Sequence, residues 1–184
     1  MDIRALAPLL ALPALVLAAP RQSSAHASSN GVWSIQLVES APERCRVEAT
    51  RDADPAWSLE RCVATVDDLF FISNDGEHFW VLTVLPRTPP PKPKQKGAKP
   101  QTPPAGEPYI RAVVATLFDR QGRVLSERTL HDFMEHRFDK LRDLDSRFSW
   151  LEGAVGVPGR RPRITEANQV EFETVEPKQY RLDF

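Results

Sequence analysis

The stretch that decides the fold reads Leu69-Phe-Phe-Ile-Ser-Asn-Asp-Gly-Glu-His-Phe-Trp-Val-Leu-Thr-Val-Leu85. Its centre, Asn74-Asp75-Gly76, lies between two apolar runs, which is the strongest short-range signal of a β-hairpin. A second hairpin is predicted from Tyr109 to Leu130, with its turn at Asp119 to Gly122. The sequence thus predicts two hairpins in series, separated by a proline-rich segment.

Two strands of these hairpins are apolar on both of their faces. They run from Val81 to Leu85 and from Ile110 to Phe118. A strand of this kind is covered on both sides, so it belongs in the middle of a sheet. Weaker alternating segments are expected to pack around these two strands, at 31–39, 43–50, 57–66, 166–175 and 180–184.

The periodicity changes after the second hairpin. Apolar residues recur there at intervals of three and four, at Leu130, Met134, Phe138, Leu141 and Leu144. This spacing predicts one amphipathic helix over about 130–145, with charged residues on its other face. The predicted fold class is therefore α+β and mostly antiparallel β, a blade-like or sandwich-like sheet with one amphipathic helix packed on it.

The N-terminal residues have the pattern of a secretory signal peptide. An apolar run from Ala5 to Ala19 is followed by Ala25-His26-Ala27, which offers small residues where a signal peptidase cuts. The run is shorter than the ~20 residues that a membrane-spanning helix needs, and no other segment is apolar enough to span. We therefore expect a signal peptide at 1–27 and one exported domain at 28–184, in a periplasm or outside the cell.

The net charge of the chain argues against some partner classes. Cleavage after Ala27 would remove Arg4, Arg21 and Asp2, leaving 157 residues with 22 basic and 24 acidic side chains. A net charge of −2 provides no overall field that attracts nucleic acid or an anionic membrane. Nucleic acid is therefore not an expected partner, and nothing in the sequence indicates the oligomeric state.

The two cysteines, Cys45 and Cys62, predict a disulfide. In an oxidising compartment an even pair is usually bridged, and closing the loop from Arg46 to Arg61 would stabilise the fold by about 3 kcal/mol. A metal site would need a shorter Cys-x2-4-Cys spacing with further Cys or His nearby. We therefore expect a structural bridge between neighbouring strands.

The segment Pro86 to Pro108 differs in composition from the rest of the chain. Nine of its 23 residues are proline and five are Lys or Arg, with Glu107 the one acid. It has too little apolar surface to offset its ordering entropy, so a disordered insertion with local polyproline II structure is predicted. One interpretation is a strip that docks to a partner, and the other is an idle insertion at a hairpin end. The candidate binding residues of this strip are Pro89, Pro90, Pro91, Lys92, Pro93, Lys94, Lys96 and Lys99.

Two turn motifs give the region from about Val66 to Leu130 a resemblance to a known repeat. Ser73-Asn-Asp-Gly76 and Phe118-Asp-Arg-Gln-Gly-Arg-Val-Leu125 resemble the turns of a single β-propeller blade. A complete propeller needs at least four blades of ~40 residues, and the chain shows one such unit. The resemblance implies a blade-like antiparallel sheet rather than a propeller, and it brings no catalytic residues with it.

No motif in the sequence identifies a catalytic, metal or cofactor site. His131 and His136 would lie roughly 140° apart around the predicted helix, so they do not converge on a metal ion. Turn chemistry explains the acids around Gly76. The favoured function is a non-enzymatic binding or interaction domain in the exported compartment, with a protein or envelope partner. The alternative is a hydrolase of the cell envelope or extracellular space with an unrecognised site.

Overall fold

The computed structural model describes residues 19–86, 109–134, 138–144, 147–154 and 156–184, with Phe138 described by its backbone only. Strands β1–β8 are Arg21–Gln22, His26–Ala27, Trp33–Ala41, Arg44–Arg51, Asp54–Leu59, Leu69–Ile72, His78–Leu82 and Leu85–Pro86. Strands β9–β15 are Val113–Asp119, Val124–Thr129, Arg142–Leu144, Arg147–Ser149, Arg163–Ile164, Gln169–Glu173 and Gln179–Asp183.

These strands form four sheets in the described parts of the chain, and every strand pairing is antiparallel. The outer sheet has the order β1-β3-β4-β5, with β2 also paired to β3. The central sheet has the order β10-β9-β7-β6, the short sheet β11-β12-β8, and the C-terminal sheet β13-β14-β15. The prediction of a mostly antiparallel β structure is confirmed.

Strands β7 and β9 lie in the middle of the central sheet, as predicted for the two segments that are apolar on both faces. Their bounds differ from the predicted 81–85 and 110–118, because β7 ends at Leu82, Leu85 begins β8 of the short sheet, and β9 begins at Val113. One face of this sheet carries Phe79 and Val81, which belong to a core cluster with outer-sheet residues such as Ile35. The other face carries Trp80, which belongs to a second cluster that includes Trp150 and reaches into the C-terminal sheet. Two cores on opposite faces of one sheet explain why these strands have no polar side.

Both predicted hairpins are present. In the first, β6 pairs with β7, Ile72 lies opposite Phe79, and Gly76 in the turn has a φ of +73°. In the second, β9 pairs with β10, and the carboxylate of Asp119 accepts hydrogen bonds from the backbone N–H groups two and four residues ahead. A left-handed glycine and an acceptor side chain are what such turns require, so the local sequence was sufficient to predict them.

The predicted helix over 130–145 is wrong. The described residues of this segment form a 3-10 turn at Leu130–Asp132, a second one at Phe138–Lys140, and strand β11 at Arg142–Leu144. The described parts of the chain contain no α-helix, so the α+β class is corrected to all-β.

Two features of the folded chain explain why the helix does not form. Leu130 and Met134 are both buried within a single turn, so their burial does not require a longer helix. The N–H of Leu130 donates to the carbonyl of Ala112 at 2.9 Å, which continues the pairing between β10 and the chain before β9. His, Asp and Phe are weak helix formers and a helix nucleus is costly, so these contacts outweigh the apolar periodicity.

The predicted disulfide between Cys45 and Cys62 is present, with their Cα atoms 4.9 Å apart. Cys45 lies on β4, but Cys62 lies beyond β5, which ends at Leu59. The bridge therefore ties β4 to the segment that follows its neighbouring strand, and the strand predicted over 57–66 is shorter than expected. Such a bridge is compatible with an oxidising compartment.

Residues before Ser28 take part in the outer sheet. Strand β1 places Arg21 opposite Glu39, and β2 places His26 opposite Ile35. The boundary predicted at Ala27 thus falls at the end of a described strand. Cleavage of a leader stays a prediction.

Candidate functional site

The candidate partner-binding strip lies outside the described residues. Its eight predicted residues fall between 89 and 99, inside the segment 87–108. The structure does describe the two residues that flank this segment, Pro86 and Tyr109. The geometry of these two ends determines how the fold can present the strip.

Pro86 and Tyr109 are joined by a hydrogen bond. The hydroxyl of Tyr109 donates a hydrogen bond to the carbonyl oxygen of Pro86 at 3.0 Å. Tyr109 is buried, and its ring meets the ring of Phe148 edge-on, with 5.7 Å between the centroids. Burial raises the pKa of Tyr109, so the phenol keeps the proton that it donates. The two residues that flank the segment 87–108 therefore meet at one point of the described fold.

The short sheet holds the first end of the strip. Strand β8 places Leu85 opposite Phe148 and Pro86 opposite Arg147. It is an edge strand, where a proline is tolerated although it has no N–H to donate. Leu85 is buried in the core. Leu85, Pro86 and Tyr109, here called the stem, are thus part of the packed fold.

Side chains also fix the residues just before the stem. The carboxylate of Asp68 accepts hydrogen bonds from the N–H and hydroxyl of Thr65 and, at 2.9 Å, from the N–H of Val84. Burial raises the pKa of Asp68, and these hydrogen bonds only partly oppose that effect. The indole N–H of Trp150 donates to the carbonyl of Thr83 at 2.9 Å. The chain that leads into the strip is therefore held by side chains as well as by strand pairing.

A second candidate site is a cavity of about 530 Å³ beside the N-terminal edge of the outer sheet. Its lining includes Ser24, His26, Gly153, Gly156 and Arg161. The volume lies within the range of small-molecule sites. The cavity therefore brings a histidine, a hydroxyl and a guanidinium group to one concave surface.

His26 contributes an imidazole ring to this lining. Its Nδ1 lies 2.8 Å from the carbonyl oxygen of Phe70, and its ring stacks on Phe71 with 4.9 Å between centroids. A carbonyl can only accept a hydrogen bond, so Nδ1 carries the proton and Nε2 is the acceptor of the neutral ring. Burial lowers the pKa of His26, although the bond to Phe70 opposes this, which favours the neutral ring.

Sequence reasoning missed His26 because it assigned residues 1–27 to a leader. The run from Arg21 to Ala27 is mostly polar, and it has no alternation of apolar and polar residues that would indicate a strand. In the described parts of the chain, no group of three or more His, Cys, Asp or Glu side chains is placed to hold a metal ion. In the neutral ring of His26, Nε2 is the atom that can accept a hydrogen bond.

The disulfide lines another cavity, of about 430 Å³, together with charged residues such as Glu43 and Arg46. Cys45 and Cys62 are both bridged, so neither offers a thiol to this cavity. The structure therefore gives the two predicted cysteines a structural role.

Three arginines surround the buried carboxylate of Glu171 on β14. Arg160, Arg163 and Arg181 place guanidinium nitrogens 3.2, 2.8 and 2.9 Å from its oxygens. Hydrogen bonds from Arg163, with further support from Arg181 and Arg160, hold the pKa of Glu171 below its ordinary value although burial opposes them. The register of the C-terminal sheet brings these groups together, since it sets Glu171 opposite both Arg163 and Arg181. The ion pairs of this arginine cluster link the three strands β13, β14 and β15 of the C-terminal sheet.

Comparison with known proteins assigns no family to the chain. No protein-family description, no curated protein and no solved structure matches it. Across the described residues, no helix is both long enough and apolar enough to cross a bilayer. The two candidate sites are therefore interpreted from their own geometry.

Proposed function

We propose that this protein is an exported, non-enzymatic binding domain that presents the strip 87–108 to a protein or envelope partner. The hydrogen bond between Tyr109 and Pro86 carries this proposal, because it brings both ends of the strip to one partly buried point of the fold. A segment held in this way can bind a partner without disturbing the core that supports it. Binding residues are often found on segments that a rigid scaffold positions.

The composition of the strip supports a particular recognition chemistry. Its prolines favour the extended polyproline II conformation, which aromatic-lined grooves bind at low entropic cost. Its basic residues add a steering attraction towards an acidic surface. The disulfide between Cys45 and Cys62 and the N-terminal apolar run support export.

The test is capture of a partner from the exported fraction with matched forms of the chain as bait. The intact chain is compared with a form that lacks residues 88–105 and with a form whose strip lysines become glutamine, at Lys92, Lys94, Lys96 and Lys99. A control form carries the same charge change outside the strip, as arginine-to-glutamine substitutions at Arg44, Arg51, Arg111 and Arg128. Melting temperatures are measured first, so that lost binding is not confused with lost folding.

A partner that the intact and control forms capture, that the two strip variants lose, and that a synthetic peptide of residues 87–108 displaces supports the proposal. Loss in the deletion alone assigns recognition to the prolines, whereas loss in both assigns it to the lysines as well. A partner that the deletion form retains at full strength contradicts the proposal.

A hydrolase is the second candidate function, and the cavity that His26 shares with Ser24 favours it. Hydrolysis by an activated serine requires a hydroxyl and a base in one site. Labelling by a serine-reactive fluorophosphonate that is abolished by Ser24→Ala, but not by Ser29→Ala, would support the hydrolase over the binding domain.

A further inference from the structure

The residues from Arg21 to Ala27 act as one edge strand along β3. Arg21 and Gln22 pair at one end of β3, and His26 and Ala27 pair further along it. Between these pairs, three residues of the edge oppose two residues of β3, which is a one-residue bulge. The edge of the outer sheet is therefore covered by the segment that a cut after Ala27 would remove.

Ser23 satisfies both backbone groups of Leu37 at this bulge. Its N–H donates to the carbonyl of Leu37 at 2.9 Å, and its hydroxyl oxygen accepts a hydrogen bond from the N–H of Leu37 at 2.8 Å. Ser23 is buried, and the side chain of Leu37 is fully buried in the core. Removal of Ser23 would leave both polar groups of a core position without these partners.

His26 connects the outer sheet to the central sheet through its side chain. Its ring stacks on Phe71, and its Nδ1–H donates to the carbonyl of Phe70, both on edge strand β6 of the central sheet. Phe70 and Phe71 are buried. Removal of His26 would uncover the ring of Phe71 and leave the carbonyl of Phe70 without this donor at a strand edge, which is the arrangement that promotes aggregation.

We infer that the mature chain keeps Arg21 to Ala27 as part of its fold, and that the leader is removed ahead of this segment, at the Ala18-Ala19 pair. This inference rests on the export in the proposed function. The apolar run ends at these two alanines, and a cut after Ala18 has Ala18 as the last leader residue and the β-branched Val16 two residues before it, a weaker match to the A-x-A-like pattern than Ala25-His26-Ala27. Hydrolysis consumes one water, leaves a carboxylate on the leader and frees an amine on Ala19 or Pro20.

Purified truncated chains test whether Arg21 to Ala27 belongs to the fold, and this test does not depend on export. A chain that begins at Ala19 is compared with one that begins at Ser28, and a chain that begins at Arg21 is the control that keeps both edge strands. The Ser28 form should melt about 10 °C or more below the other two and should self-associate, since a loss of several contacts shifts the melting temperature by a few degrees each. Equal melting of the Ala19 and Ser28 forms overturns the inference.

Two point variants of the Ala19 form cover the outcome in which the Ser28 form fails to fold. Ser23→Ala and His26→Ala should each lower the melting temperature by several degrees, whereas Ser24→Ala should not, because Ser24 is exposed. Unchanged melting of both Ser23→Ala and His26→Ala would show that the edge contributes nothing, and would overturn the inference.

Mass spectrometry of the exported protein tests the position of the cut. A mature N-terminus at Ala19 or Pro20 is expected, and one at Ser28 overturns the inference. Ala18→Leu together with Ala19→Leu should leave an unprocessed precursor, whereas Ala27→Leu should be processed normally; the reverse pattern overturns it too. A chain that retains Met1 in the cytoplasm overturns export and processing together, whereas the truncation series separately decides whether the edge belongs to the fold.

Discussion

The ring of Trp33 occupies the space that a side chain at Gly76 would need. A Cβ built on Gly76 would lie 2.6 Å from Cδ2 of Trp33. The indole N–H of Trp57 donates to the carbonyl of Gly76 at 3.0 Å. Both tryptophans lie on the outer sheet, and Gly76 lies in a turn of the central sheet. The hairpin turn is thus also a contact between two sheets.

Gly76→Ala should destabilise the fold more than Gly31→Ala. Both glycines have a left-handed φ, +73° and +71°, so an alanine costs about 1–2 kcal/mol of backbone strain at either position. A Cβ at Gly31 meets nothing within 4 Å, whereas a Cβ at Gly76 overlaps Trp33 and adds an overpacking cost of about 1–3 kcal/mol. Urea unfolding of both variants measures the difference. Equal losses would mean that the Trp33 ring moves aside freely.

Local patterns were sufficient for the parts of the fold that depend on neighbours in sequence. The Asp-Gly turn at Gly76 and the continuous apolar run around Val81 predicted a hairpin and a covered strand, because both are properties of a few consecutive residues. The contact between Gly76 and Trp33 depends on how two sheets pack, and no local pattern encodes that. The helix failed for the same reason, since the spacing of Leu130 and Met134 does not reveal the bond from Leu130 to Ala112.

The candidate site was predictable only in part. Composition marked the strip as an insertion, but the bond between Tyr109 and Pro86 depends on where the short sheet places Phe148 and Arg147. His26 could not be predicted at all, since a polar edge strand carries no periodic signal of its own. Its pairing with β3 is visible only in the sheet register.

Phe133→Ala should cost about 3–5 kcal/mol of the free energy of unfolding. The ring of Phe133 is buried and contacts Trp150, Phe172 and Tyr180, with centroid separations of 5.2–5.3 Å. The matched control is Leu125→Ala on edge strand β10, where the side chain is 50% exposed and the loss should stay within about 0.5 kcal/mol. Denaturant titration of both variants would refute this core assignment if the two losses were similar.

Cys62→Ala should lower the free energy of unfolding by about 2–4 kcal/mol under oxidising conditions. The bridge to Cys45 restrains the unfolded chain, and that restraint is lost with either cysteine. In the presence of a reductant, the wild-type chain should unfold at the same denaturant concentration as the variant. A variant that matches the oxidised wild type would show that the bridge does not stabilise the fold.

Glu171 should make the stability of the fold sensitive to acid. Its pKa in the folded state is held below the ordinary value of 4.5, so the folded protein binds fewer protons there than the unfolded chain. Its contribution is therefore fully present above about pH 4.5 and is lost as the pH falls through the lowered value. Glu171→Gln should flatten the acid limb of a plot of melting temperature against pH. Glu173→Gln, two residues along the same strand, should leave that limb almost unchanged; equal flattening by both would contradict the role of the arginine cluster.

Deletion of residues 88–105 should leave the free energy of unfolding within about 1.5 kcal/mol of the intact chain, with any change towards higher stability. Pro86 and Tyr109 already lie within hydrogen-bonding distance of each other, so the four residues that remain between them are enough to close the loop. Each halving of the loop length lowers the entropic cost of closing the loop by roughly 0.6 kcal/mol. This gain offsets the loss of any small contacts that the deleted residues make. Tyr109→Phe is the control for the stem, because it removes the hydroxyl alone and should cost about 0.5–1.5 kcal/mol in both the intact and the shortened chain. Equal costs of Tyr109→Phe in the two chains would show that the stem is independent of the strip. A large loss of stability in the deletion form would contradict the prediction. It would show that the strip is packed against the domain and cannot act as a separable binding element.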